Sequence, residues 1–229
     1  MMRILPVLFF ATLLLNTEAD VPLNKGKVVG KIAIPENVPL LKRGSNQKYC
    51  EEEPASARKK QIDLENHPNR HVVVSFHPTD FTPELSPTPR AIMNQMEKTF
   101  VPKVLPITKG STVEFLNSDT EVHNIFSMTP RATFNIGRRQ PGKSVPQLIE
   151  KVGVVDLKCD IHCGMNASIL SLDTPYFTKA NASGNYEVDG LPDGNYRVQV
   201  YHFSLGVIED NITIKGGGVF TKNLALVKP

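Results

Sequence analysis

The residues able to do chemistry gather in one short stretch, Cys159-Asp160-Ile161-His162-Cys163-Gly164-Met165, and at His123, thirty-six residues before it in the run Val122-His123-Asn124. Cys159, His162 and Met165 follow a Cys-x2-His-x2-Met spacing, and His123 adds a second imidazole. Thiolate and thioether are soft donors that favour Cu(I), whereas imidazole serves either oxidation state. A trigonal His2Cys plane with a weak axial Met therefore suits one copper ion that cycles by a single electron. Any one of these residues has an ordinary alternative role: a lone His is more often structural than a ligand, and Met165 suits the mouth of a core as filler. Four donors together are poorly explained that way.

The other histidines do not build a second site in the sequence. His67 and His71 are four apart, but Pro68 argues against the helix that would aim both at one metal. His77 and His202 each stand at the end of a strand-like run and default to structural roles. Multicopper oxidation needs paired His-x-His motifs, and the six His of the chain include no such pair. A Cys-His-Met set is a poor zinc site, and no Glu base is evident beside it, so zinc hydrolysis fits badly. These features predict a protein that is not an enzyme.

The elements that must position the donors read as β throughout. The chain of 229 residues has 18 Pro, 15 Gly, no Trp and 40% hydrophobic residues, with short runs rich in Val, Ile and Thr between turn signals. Lys27 to Ile34 and Arg70 to His77 read as strands, separated by a polar stretch from about Lys42 to Asn69. Thr79 to Pro89, with three prolines and no periodic pattern, reads as a connector. Beyond it, Phe100 to Ile107, Ser111 to Asn117, Val122 to Ser127, Ser144 to Lys151, Val154 to Lys158 and Ala167 to Leu172 predict six or seven short strands of a Greek-key sandwich. Cys159 then falls where a strand gives way to a loop. From Thr174 onwards, turn signals at Ser183-Gly184 and Pro192-Asp193-Gly194 between Tyr-rich runs predict four or five strands of a smaller sandwich, which the two N-terminal strands could complete.

The first residues predict export. Arg3 supplies a positive start, Ile4 to Leu15 a short apolar core, and Thr17-Glu18-Ala19 a cleavage site before Asp20. Twelve largely apolar residues fall short of the ~20 that span a bilayer, and no later apolar stretch is long enough, so the mature chain is expected without a transmembrane segment. The expected location is periplasmic or secreted. Loss of residues 1–19 removes Arg3 and Glu18, and the formal net charge stays at +3. The basic clusters Arg58-Lys59-Lys60 and Arg138-Arg139 are too short for a nucleic-acid footprint, so no nucleic-acid partner is expected. Arg138-Arg139 could bias docking of an acidic protein.

Residues Met96 to Leu172 resemble the cupredoxins, the small blue copper proteins, with the amicyanin and plastocyanin type most similar. The resemblance rests on FVPKVLPITKGSTVEFLN, His123-Asn124, GVVDLKC and CDIHCGM, which match four ligands in order, type and strand context. It implies one mononuclear type 1 site with His123, His162 and Cys159 as equatorial ligands and Met165 as the axial donor. It also implies that Asn124, next to the first His, ties the two ligand loops together as an outer-shell residue. His162 is expected near the surface within an apolar patch, passing the electron to a partner such as a c-type cytochrome or a dehydrogenase. The flanks GKVVGKIAIP, NRHVVVSF and TKANASGNYEVDGLPDGNYRVQVYH resemble a carboxypeptidase-regulatory or transthyretin-like module. Together these resemble secreted plastocyanin-like proteins related to methylamine utilisation. The expected organisation is a signal peptide over 1–19, N-terminal strands and a polar loop over 20–89, a cupredoxin domain over 90–173 and the rest of the second module over 174–229. The expected fold is all-β, a Greek-key cupredoxin sandwich plus a smaller transthyretin-like or Ig-like sandwich.

Cys163 departs from that pattern, because the position usually carries Pro or another non-thiol residue. A Cys-x3-Cys pair resembles the dinuclear copper centre of oxidase subunits, but Asn166 to Leu172 lack the further His and Met such a centre needs. With Cys159 assigned to metal, Cys50 and Cys163 remain to pair as a disulfide, which would stabilise by about 2–4 kcal/mol through closing a long loop. Free thiols and an intermolecular bridge are the alternatives. Three sequons, at Asn166, Asn181 and Asn211, matter only in a host that glycosylates, and Asn166 within the loop is an awkward glycan site. The expected function is one-electron transport through copper. The alternative is the holding or delivery of Cu(I) by the same donors, without redox turnover.

Overall fold

The computed structural model describes residues 24–35, 67–162 and 164–227. Residues 1–19, which the sequence predicts to direct export, and Cys50, Cys163 and most of the polar stretch lie outside the described residues.

The described residues are all-β. Two sheets enclose the core that carries the donor residues. One contains β3 (Ala91–Met96), β4 (Thr99–Val101), β6 (Ser111–Asn117) and β9 (Ser144–Ile149), in the order β4-β3-β6-β9. The other contains β5 (Val104–Thr108), β7 (His123–Thr129), β8 (Ala132–Arg139), β10 (Gly153–Lys158) and β11 (Asn166–Leu172), in the order β5-β11-β10-β7-β8. Alternate residues of these strands point inward, as period-two patterning requires. Met93, Phe100, Ile107, Val113, Phe115, Ile125, Val155, Leu157 and Ile169 meet in one fully buried cluster. Each such side chain contributes about 1.5–3 kcal/mol by leaving water, so this cluster gives the donor loops a rigid floor.

A second pair of sheets uses both flanks of the chain. β1 (Lys25–Ala33) lies between β13 (Asn185–Pro192) and β16 (Gly218–Thr221), with β17 (Leu224–Ala225) also paired to it. β2 (Val72–Pro78) lies between β12 (Phe177–Lys179) and β14 (Gly194–His202), and β15 (Gly206–Ile214) forms the edge. Their shared core includes Val28, Ile32, Val74, Phe76, Tyr186, Leu191, Tyr196, Val198 and Ile214. The chain thus leaves this sandwich after β2, builds β3 to β11, and returns to it at β12. A third cluster joins the two, with Val73 and Tyr201 from one side against Val104, Leu170 and Leu172 from the other.

Several details differ from the reading of the sequence. The run Phe100 to Ile107 is two strands, not one, because Pro102 has no N–H to continue a ladder and Lys103 follows it in the break. β3 and β8 had no clear signal. Ala91–Met96 is rich in residues of low β propensity, and its pairing with β6 on one side and β4 on the other makes it a strand. Arg70 and His71 belong to a 3-10 turn, Pro68–His71, so the strand begins at Val72.

Candidate metal centre

The donors sit at one end of the first sandwich, where β6, β7 and β10 finish or begin. His123 is the first residue of β7, is 0% exposed, and pairs with Arg139 of β8. Two residues on, the register slips between Ile125 and Phe126, leaving Ile136 of β8 as an extra residue; such a bulge bends the strand end locally. Cys159 follows the last residue of β10, and Asn166 opens β11 opposite Lys158, so the loop between them closes a β10–β11 hairpin. Within the loop, the Cys159 N–H donates to Met165 O at 3.1 Å and the Met165 N–H to His162 O at 3.4 Å. Gly164 permits this return with φ 75°, the left-handed region that glycine enters freely.

This folding brings one ligand atom each of His123, Cys159 and His162 within 4.8 Å of one another. The two Nδ1 atoms lie 2.9 Å apart, and Cys159 Sγ is 4.0 Å from His162 Nδ1. Met165, 2% exposed, belongs to the buried cluster on which Cys159 packs, which puts its side chain beneath the same loop.

Two carboxylates that the sequence reading did not single out hold the imidazoles from outside. His123 Nε2 is 2.7 Å from Asp119 Oδ2, and His162 Nε2 is 2.9 Å from Glu121 Oε2. An ionised carboxylate only accepts, so each Nε2 carries the proton and donates it. Each Nδ1 then presents a lone pair to the other at 2.9 Å. Two facing lone pairs at that distance repel, so the pair requires a cation, either a proton on one ring or a metal ion shared by both. With a thiol beside them and a thioether below, the donor set matches copper's preferences and fits zinc or the oxygen-seeking ions less well.

The carboxylates are placed by the loop between β6 and β7. Asn117, fully buried at the end of β6, donates through Nδ2 to Glu121 O at 2.8 Å and to Arg139 O at 2.9 Å, and its Oδ1 accepts the Asp119 N–H at 3.0 Å. Asp119 also accepts the N–H groups of Glu97 and Lys98, each at 2.7 Å. Burial acts to raise the Asp119 pKa, but hydrogen bonds from the Lys98 N–H, the His123 ring and the Glu97 N–H outweigh it and hold the carboxyl below its ordinary value. The Glu121 carboxyl is likewise held low, first by its bond with Lys98, whose Nζ lies 3.1 Å from Oε1, and then by the His162 ring. The sequence contained a signal for both residues: ligating His commonly passes its second N–H to a carboxylate, and acids stand four and two positions before His123.

Asn124 is buried, and its Oδ1 has no hydrogen-bond partner among the described residues. Asn166 is also buried, and its O and Oδ1 each accept from Lys103 Nζ at 2.5 Å, so the sequon there is closed by the fold. The remaining histidines lie elsewhere. His67 caps the 3-10 turn through its Nδ1, and His71 packs against His202 and Phe203 at centroid distances of 6.1 and 6.3 Å. His77 Nε2 is 2.9 Å from Ser75 Oγ and its Nδ1 is 2.8 Å from Asp173 Oδ1, which ties β2 to the residue after β11. That order resembles a hydrolytic relay, but Ser75 is buried in mid-strand and has no open face for a substrate.

No model of a known protein family matches the chain, and no curated protein does. Among solved structures, the chain is similar to a purple cupredoxin from Nitrosopumilus maritimus, at 22% identity and a TM-score of 0.33, over 36% of this chain and 99% of that one. It is similar to a reduced amicyanin variant at 15% identity and a TM-score of 0.35, over 40% of this chain and 97% of that one. A copper-containing nitrite reductase from Thermus scotoductus matches at 22% identity and a TM-score of 0.35, over 42% of this chain and 25% of that one. Among the described residues no helix is long and apolar enough to cross a membrane.

Proposed function

We propose that the chain is an exported type 1 copper protein that carries single electrons between redox proteins and is not itself an enzyme. The observation that carries this reading is the pair of Nδ1 atoms, 2.9 Å apart beside Cys159 Sγ, with both outer nitrogens engaged by carboxylates. That arrangement orients two imidazoles and a thiol at one point, and the softness of sulfur selects copper there. His123, Cys159 and His162 would hold the ion, with Met165 as the weak fourth donor. Bound copper would supply a one-electron couple between Cu(II) and Cu(I).

The residues of the chain do the rest. Asp119 and Glu121 fix which ring nitrogen faces inward, so little reorganisation is needed when the charge of the centre changes. The buried cluster under Cys159 excludes water and keeps the thiol dry on its inner side. His162, with its side chain 17% exposed, is more open to solvent than the buried His123 and Met165 and would be the exit for the electron. Asn124, buried beside His123, would steady the two ligand loops, and a c-type cytochrome or dehydrogenase would be the partner. The second sandwich is read as a transthyretin-like module into which residues 90–173 are inserted, and Cys50 would bridge to Cys163.

Titration of the purified chain with Cu(II), followed by its visible absorption, tests the proposal. The expected result is one equivalent bound, an intense band from Cys-to-Cu(II) charge transfer, and reversible one-electron reduction, all lost in Cys159→Ser. A colourless protein that holds only Cu(I) would instead establish copper holding or delivery. Absence of copper binding would overturn both.

A further inference from the structure

One hairpin turn reaches both imidazoles. Glu97 and Lys98, between β3 and β4, both adopt left-handed backbone conformations, with φ of 52° and 55°. Such consecutive residues turn their N–H groups toward a common point and form an anion-binding concavity. Asp119 occupies it, taking both N–H groups at 2.7 Å, and passes its other contact to His123. The Lys98 side chain leaves the same turn and pairs with Glu121 at 3.1 Å, and Glu121 in turn meets His162 at 2.9 Å. Two parallel relays thus run from one turn, Glu97/Lys98 N–H to Asp119 to His123, and Lys98 Nζ to Glu121 to His162.

We infer that Lys98 and Glu121 are positioning residues that cap the solvent-facing edge of His162 and lock its Nδ1 toward the centre, an inference that rests on reading His162 as a metal ligand. Without the cap the outer nitrogen loses its partner, and the ring, with its side chain 17% exposed, gains room to rotate about its terminal torsion and to exchange tautomers. Asp119 performs the same task for His123 inside the protein. The difference is that Glu121, at 42% side-chain exposure, can be replaced without opening the core. With the cap in place, the outer edge of His162 presents a Lys–Glu ion pair and not bare imidazole, so a partner that takes the electron there must accommodate both charges.

The test uses two readouts on the full chain and on Glu121→Ala and Lys98→Met. In the metal-free protein, diethyl pyrocarbonate modification of His162 is measured by peptide mass spectrometry relative to the exposed His67. The cap predicts that the ratio rises several-fold in Glu121→Ala and less in Lys98→Met. In the copper-loaded protein, removing an outer-shell partner of this kind should weaken copper affinity by about ten- to a hundredfold while the ligand-to-metal band persists. A modification ratio unchanged in both variants, or an affinity equal to that of the unsubstituted chain, overturns the cap. If the unsubstituted chain takes up no copper, the functional reading fails by itself, and the modification ratio still decides whether Glu121 holds His162.

Discussion

Replacing Asp119 by Ala should unfold the metal-free protein more easily, by an amount the structure allows to be estimated. The carboxylate accepts three hydrogen bonds of 2.7 Å, from the Glu97 and Lys98 N–H groups and from His123 Nε2. Bonds to a charged group contribute about 1.5–3 kcal/mol each, so three at the lower end give about 4–5 kcal/mol. The side chain is 14% exposed, so water recovers some of this, and a net loss of about 3 kcal/mol is expected. The turn adds to the effect, since non-glycine residues at positive φ carry about 1–3 kcal/mol of strain each that the anion offsets. Urea unfolding followed by circular dichroism in the presence of a chelator measures the loss without any contribution from metal. Asp119→Asn keeps one acceptor oxygen and should lose roughly half as much. The sign with pH is also set. Because the folded carboxyl is held below its ordinary 3.8, its stabilisation is complete above that value and disappears as pH falls through the lower folded value. An Asp119→Ala chain within about 0.5 kcal/mol of the unsubstituted one would refute the assignment, because surface substitutions alone cause changes of that size.

Three further outcomes are expected. Burial pushes His202 from 6.5 down to about 4, and its Nδ1 accepts the Ser204 and Leu205 N–H groups, so its neutral form is the folded one; stability should be full above pH 6.5 and fall by about 2–3 kcal/mol as pH drops toward 4, a slope that His202→Gln should flatten in pH-dependent urea unfolding. Gly30→Ala would place a Cβ 1.9 Å from Lys222 O and 2.8 Å from the Tyr186 ring; forcing β1 away from these neighbours should cost about 3 kcal/mol, and an unchanged melting temperature would contradict the close approach. Phe115→Ala removes a fully buried ring from the cluster beneath the donor loop; a loss of about 3–5 kcal/mol in chemical unfolding is expected.

What the sequence determined by itself was local. The Cys-x2-His-x2-Met spacing is a property of seven consecutive residues, so the donor types are legible without any tertiary contact. The all-β class was legible because period-two patterning and turn residues such as Lys109-Gly110 and Ser183-Gly184 act within a few positions. Tertiary structure decided what depended on partners far along the chain. β3 pairs along its length with the parallel edge of β6, beyond its short hairpin with β4, and β1 finds β13 across the Lys27–Glu187 pair, 160 residues apart. It also decided the surroundings of the donors. Asp119, Glu121 and Lys98 are common surface residue types in sequence; two acids shortly before a ligating His hint at a role for Asp119 and Glu121, but nothing local fixes which atoms they meet. They become part of the centre because Asn117 folds the β6–β7 loop back over His123, and because two left-handed residues aim their N–H groups at one carboxylate. The donors are set by residue type and spacing, which a chain carries in every conformation. Their orientation is set by hydrogen bonds between separate elements, which exist only once the sandwich has closed.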